Sequence, residues 1–406
     1  MISVAAAKAS AIPDLKPSGA ITGSMANSKP RAIIAIDLLR FACALLVLAN
    51  HFGGAFARAP SASARYMLSG LHASDAAISW SWFGWIGVEL FFVISGFVIA
   101  LSAEGSSWSG FLRRRALRLV PAAWICATAT FLILAVAAPS TTLPAKWGAT
   151  LAFWPVGPWI DASCWTLGIE ICFYLLIATG LGRTGRAAMI ERYAVWLGAV
   201  SAAGWLFAAL SGWVGTPRMD DRMLQLSLLP HGCLFALGVL ASAMTRRGVT
   251  GARAGPFALF LLPACAEIAS RTIERTQTFG VSAGPLVPTL LFLAGLAMVL
   301  GSGRMQPFLS RRIDARLAAT LGLMTYPLYL IHQEAGAALI ATLMRAGMPY
   351  WPASGVALLA VLVFAWWVAH AAEPVVRARL ASLMDAVSAR RGRAPDTPPS
   401  PSPRAG

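Results

Sequence analysis

Residues 31–54 read RAIIAIDLLRFACALLVLANHFGG, an apolar run long enough to cross a bilayer that nevertheless carries Asp37, Arg40 and His51. About 20 apolar residues span the hydrocarbon core, and ionisable groups placed there are costly enough to point to function. On an α-helix the step from Arg40 to His51 turns about 1100°, three turns and roughly 20°, and rises about 16 Å. Both side chains therefore share one face. Asp37, three residues before Arg40, is expected to pair with it.

The rest of the chain extends this reading to the whole molecule. Of 406 residues, 57% are hydrophobic and 12% charged, and mean hydropathy is +0.66. Such a composition excludes a set of soluble domains and predicts an all-α polytopic membrane protein. Apolar segments at 33–53, 83–103, 116–138, 164–182, 193–212, 223–243, 256–270, 285–302, 317–342 and 353–372 give about ten transmembrane helices. The seventh is short and holds Glu267. With the N-terminus inside, 24 of the 33 Lys and Arg fall in cytoplasmic segments and 8 in outer loops. Retention of positive charge on that side predicts cytoplasmic N- and C-termini. The net charge of +16 is thereby largely topology, and nucleic acid is not an expected partner. Acidic membrane lipid or a phosphorylated ligand is compatible with it.

Residues 1–30 are rich in Ala, Ser, Gly and Pro and are expected to form a disordered cytoplasmic lead, the part before Met25 reading as an over-extended start. Residues 31–376 form the expected transmembrane domain, and 377–406 a basic, Pro-rich cytoplasmic tail, disordered from about 388, with no soluble domain appended. The six cysteines fall mostly within apolar segments without metal-like spacing and read as packing residues. No metal ligand set is expected.

Four further stretches carry chemistry. The second segment, WFGWIGVELFFVISGFVIA, buries Glu89 at a depth similar to His51, while Gly84, Gly87 and Gly96 permit close helix contact. It is followed by FLRRRALRLVP, in which Arg115 and Arg118 at i,i+3 form a forked anion clamp beside Arg113 and Arg114. In CWTLGIEICFYLL, Glu170 lies about two turns from the end of the fourth segment. The ninth carries YPLYLIHQEAG, where Pro327 is expected to bend the helix and His332 and Glu334 lie in its outer half.

Taken together, IDLLRFACALLVLANH, GVELFFVISGFVI, FLRRRALRLVP, WTLGIEICFYL and YPLYLIHQ resemble acyltransferase family 3 of integral membrane proteins, which includes bacterial O-antigen and exopolysaccharide O-acetyltransferases. The blocks occur in the family's order over roughly residues 31–374. The resemblance implies a ten-helix enzyme of the bacterial inner membrane. It would move an acyl group, usually acetyl, from cytoplasmic acyl-CoA to a hydroxyl of a glycan, glycolipid or other acceptor. Acetyl-CoA would be a donor substrate and no cofactor would be bound. Polysaccharide-assembly proteins are further expected partners.

By that resemblance Arg40 and His51 match the Arg-x10-His pair, Arg115 and Arg118 the Arg-x-x-Arg element, Glu89 and Glu170 the acids of the second and fourth segments, and His332 the histidine of the ninth. Donor binding is thus expected at Arg40, Arg114, Arg115 and Arg118. Asp37, Trp165 and His332 are expected to support the site or the acceptor. Two departures stand out: Ile171 replaces a frequent second acid, and no basic residue separates Glu373 from Pro374.

Esterifying an alcohol with a thioester needs a base, and neutral imidazole at His51 suits that role near pH 7. Glu89 or Glu170 would orient it and stabilise the imidazolium; the sequence leaves both open. A donor anchored at Arg115 and Arg118 would extend its thioester past Arg40 to His51, with the acceptor reaching it from outside. A transporter or flippase of a lipid-linked glycan, or a scaffold for polysaccharide assembly, would fit the same architecture. The absence of a convincing inverted repeat, or of a pair of broken helices in corresponding halves, weighs mildly against transport.

Overall fold

In the computed structural model, residues 33–181 and 187–392 are described, and they contain helices and no strand. The expected lead at 1–30 lies outside them, as does the tail beyond 392. Twelve longer helices follow one another: α1 Ile34–Asn50, α2 Ile86–Ala103, α3 Trp108–Ala137, α4 Trp165–Leu181, α5 Ala187–Leu210, α6 Gly232–Arg247, α7 Gly251–Phe279, α8 Leu286–Arg312, α9 Ala315–Ile331, α10 Glu334–Arg345, α11 Tyr350–Trp367 and α12 Glu373–Gly392.

Eight helical stretches among the described residues are long and apolar enough to cross a membrane. The chain is an all-α polytopic membrane protein. Two of the ten expected segments do not yield such a helix because each is broken. Segment 223–243 divides at residues 227–231 into the short helix Arg222–Leu226 and α6, and segment 317–342 divides at His332 and Gln333 into α9 and α10. The break in the second comes after Pro327, which lies inside α9. Pro121 is likewise within α3, since that helix begins at Trp108 with the Ser107 hydroxyl accepting from Gly110 N–H.

The seventh segment departs from expectation in the other direction. Glu267, Arg271, Glu274 and Arg275 end the apolar window, yet α7 runs unbroken for 29 residues, and partners from outside it meet the charges of Glu267 and Arg271. At the other end of the chain, α12 carries the expected tail as helix as far as Gly392 and packs along α3.

At the centre of the bundle is α6, in which every residue from Gly232 to Ala243 is buried. Its sequence GCLFALGVLASA is apolar all round, as a helix enclosed by others requires. It packs on α2, α5, α7 and α8, while α1 packs on α2, α8 and α9. Close approach is set by small residues: a Cβ on Gly238 would collide with the Val93 carbonyl, one on Gly96 with that of Phe235, and one on Gly84 or Gly87 with α1 carbonyls. Because rigid backbone faces Gly238, Gly238→Leu is expected to destabilise the protein by at least the 1–3 kcal/mol typical of overpacking. A wild-type unfolding temperature for this variant in detergent would contradict the contact.

Candidate active site

Two helix interruptions place the site's side chains. The first follows α1, where residues His51–Ala55 form a widened π-type turn. Asn50 fixes its start, its amide donating to the carbonyls of Ser81 (3.1 Å) and Trp82 (3.0 Å), and the Tyr350 hydroxyl donates to Phe52 O at 2.8 Å. The second lies between α9 and α10 and carries His332. Here the Asp161 carboxylate accepts from the N–H groups of Ser163 (2.8 Å) and Glu334 (3.1 Å), so one buried acid caps the start of α10 and ties this break to the loop before α4.

These interruptions bring His51 and His332 together, with Nδ1 of the first 3.2 Å from Nε2 of the second and ring centroids 4.9 Å apart. His51 Nδ1 also faces Val47 O at 3.0 Å, and His332 Nδ1 faces Tyr329 O at 2.8 Å. A carbonyl only accepts, so in the neutral rings both Nδ1 atoms carry hydrogen. His332 Nε2 is then a lone pair aimed at His51 Nδ1–H, and His51 Nε2 is the remaining basic atom. The orienting partner of His51 is thus a second imidazole and neither of the two expected carboxylates.

The expected donor residues converge elsewhere in the bundle, around a cavity of about 120 Å³. Arg40, Arg115, Arg118, Glu170 and Tyr174 line it together with Phe91, Tyr326 and Tyr329. Glu170 accepts from the Tyr174 hydroxyl at 2.8 Å; the Arg115 guanidinium lies 6.0 Å from the Tyr174 ring and that of Arg118 5.8 Å from Tyr326. Aromatic walls hold two of the three cations, Arg115 and Arg118, and Glu170 is the carboxylate among the lining residues. Of these lining residues Tyr329 also adjoins the histidines, its ring 5.8 Å from that of His332. Neither histidine belongs to the cavity wall: the arginines and the histidine pair are neighbours across one tyrosine.

Several expected positions are corrected. Arg114 turns away from the cavity and donates to Ser102 O (3.1 Å) and to Ser106 Oγ, because it lies 100° around the helix from Arg115. Asp37 makes no ion pair with Arg40 within 4.0 Å; it lies against α9, where a Cβ on Gly322 would meet its Oδ1 at 2.5 Å. Glu89 is not at His51 either. On α2, Val88, Phe91 and Ser95 face the cavity, whereas Glu89 faces α6 and α7. Trp165 stands between the two regions, its ring 6.3 Å from Phe92 and 6.2 Å from His231 and its carbonyl accepting from Arg222 at 3.0 Å.

Glu89 instead belongs to a buried charge cluster that sequence depth alone did not reveal. Arg271 Nε lies 2.8 Å from Glu89 Oε1 as an ion pair, His231 Nδ1 lies 2.6 Å from Glu267, and Asp220 reaches Arg271 at 2.9 Å. Glu89, His231 and Glu267 are the described residues whose ligand atoms could surround a metal, all within 4.8 Å of one another. The Arg271 guanidinium already occupies the cation position among them. Burial works against the charge on Asp220 in the loop before α6, but Arg271, the Glu274 hydrogen bond and the nearby Arg275 and His231 together hold that carboxyl below its ordinary range. The cluster joins α2, α6 and α7 around the entrance of the central helix. The paired charges at Glu267 and Arg271, four residues apart, were the signal available for it.

A family model described as an acyltransferase domain matches residues 33–370. No curated protein and no solved structure matches the chain.

Proposed function

The chain belongs to acyltransferase family 3 of integral membrane proteins, and from that premise we propose that it is an O-acyltransferase of the bacterial inner membrane. It takes an acyl group, in this reading acetyl, from cytoplasmic acyl-CoA and places it on a hydroxyl of a glycan or glycolipid. The observation that carries the reading is the adjacency of an arginine-lined cavity and a histidine pair across Tyr329. Arg40, Arg115 and Arg118 suit a phosphorylated donor, guanidinium being the group that binds phosphate in two-point contact.

At the histidine pair the acceptor oxygen gives its proton to His51 Nε2 as it attacks the thioester carbonyl carbon. The carbon–sulfur bond then breaks, and the departing thiolate takes that proton from His51. While the proton resides on His51, the imidazolium donates through Nδ1–H to His332 Nε2, which stabilises it as a carboxylate does in a triad. For the thioester to reach His51 from the cavity, the Tyr329 side chain must yield. Both chain ends lie in the cytoplasm in this reading, so the donor enters where α1 begins and the acceptor where it ends.

Release of free thiol from acetyl-CoA by purified protein, measured over a panel of glycans and glycolipids, tests the activity. Acceptor-dependent release with a matching mass increase of 42 Da on one acceptor, the general mass of an acetyl group replacing hydrogen, is expected. No acceptor-dependent release across glycan, glycolipid and small-alcohol classes would overturn it.

A further inference from the structure

Beyond the arginines of the cavity, one more cation is tied to Arg118 by a helix that the sequence assigns to the tail. After α11 the chain widens into a π-type turn at Val368–Ala372, which delivers Glu373 at the start of α12. The Glu373 side chain is 1% exposed and its Oε1 accepts from two guanidiniums, Arg118 at 3.3 Å and Arg377. Arg377 also donates through Nε to Leu117 O at 3.1 Å, the residue preceding Arg118. Farther along, Arg113 and Asp385 pair at 2.8 Å, so α12 is docked on α3 along its first three turns.

This arrangement has a charge consequence. One buried carboxylate holds two arginines whose side chains stay 23% and 39% exposed. The second Glu373 oxygen is buried without a hydrogen-bond partner. Counting Arg40, Arg115, Arg118 and Arg377 against Glu170 and Glu373, the cavity and its rim keep an excess of positive charge that an anionic ligand would neutralise. Arg377 is the more exposed of the two guanidiniums on Glu373, and only that carboxylate separates it from the cavity-lining Arg118.

We propose that Arg377 is a donor-binding residue: α12 is tied to the cavity-lining Arg118 through Glu373, and Arg377, on the same carboxylate, binds a phosphate of a nucleotide-bearing thioester. The inference rests on the acyltransferase reading and specifies which part of the donor the C-terminal helix recognises. Glu373 holds the two guanidiniums in register.

Equilibrium binding to the full-length protein in detergent tests this without an acceptor, using coenzyme A and S-acetylpantetheine, which lacks the nucleotide. Arg377→Ala is expected to weaken coenzyme A binding about tenfold, as loss of one charge-assisted contact does, and to leave S-acetylpantetheine binding unchanged. Arg377→Lys, which keeps the charge, should recover part of the loss and serves if the alanine variant fails to fold. Coenzyme A affinity unchanged in both Arg377 variants but lost in Arg118→Ala would overturn the inference while leaving the cavity as the donor site. Unchanged affinity in Arg118→Ala as well would overturn the reading on which it rests. Equal weakening for both ligands would make α12 a buttress of the bundle and would also overturn the role of Arg377.

Discussion

Replacing His51 with alanine should lower kcat by about 10²- to 10⁴-fold, the usual contribution of a positioned general base. The variant should fold, because His51 is only half-buried and its ring contacts are with His332 and Phe56 rather than with the central packing of α6. His332→Ala should fall in the same direction by a smaller factor, since it removes the acceptor for His51 Nδ1–H but leaves the Val47 carbonyl to hold the tautomer. The two residues act as one unit. The double variant is therefore expected to be no slower than His51→Ala alone. Initial rates of thiol release at saturating acetyl-CoA measure all three, and near-wild-type turnover in well-folded His51→Ala would remove the histidine pair from the mechanism.

The second large effect concerns the donor. Arg115→Ala combined with Arg118→Ala should raise the KM for acetyl-CoA by roughly 10²-fold, each charge-assisted contact being worth about a factor of ten or more. The effect on kcat should be smaller, because neither arginine adjoins the histidine pair. Arg118 is already engaged with Glu373, so part of its removal acts by freeing that buried carboxylate. Arg115→Ala alone leaves the Arg118–Glu373 pair intact and therefore separates donor binding from that release. An unchanged saturation curve would mean that the cavity does not bind the donor.

These expectations show how unevenly the site could be read from residues. Arg40, Arg115 and Arg118 share one cavity, because each charge must turn away from lipid toward the nearest enclosed space. Glu89 and Glu170 obeyed the same rule and still did not meet His51. Depth in a membrane constrains one coordinate, whereas the partner of a buried acid is set by the direction in which it leaves its helix. Val88 and Glu89 are adjacent in sequence and serve different regions for that reason. His332 was visible as a candidate, yet its pairing with His51 depends on a break at residues 332–333 held by Asp161, a loop residue with no periodic signal.

The helix boundaries divide in the same way. Apolar length located most of the spans, since only a continuous run can cover the hydrocarbon core. It failed at α7, where four charged residues mimic the end of a helix, and at the two segments that change direction inside the bundle.

The amino-acid sequence by itself determined that this chain is a helical membrane protein of the acyltransferase family and which ionisable residues are placed within its apolar segments. Those properties follow from the run lengths of apolar residues and from local blocks, each contained in one segment. Tertiary packing decided that His51 pairs with His332, that Glu89 closes a separate charge cluster, and that α12 reaches back to Arg118. Such pairings join residues up to hundreds of positions apart, and they depend on crossing angles and helix breaks that no single segment encodes.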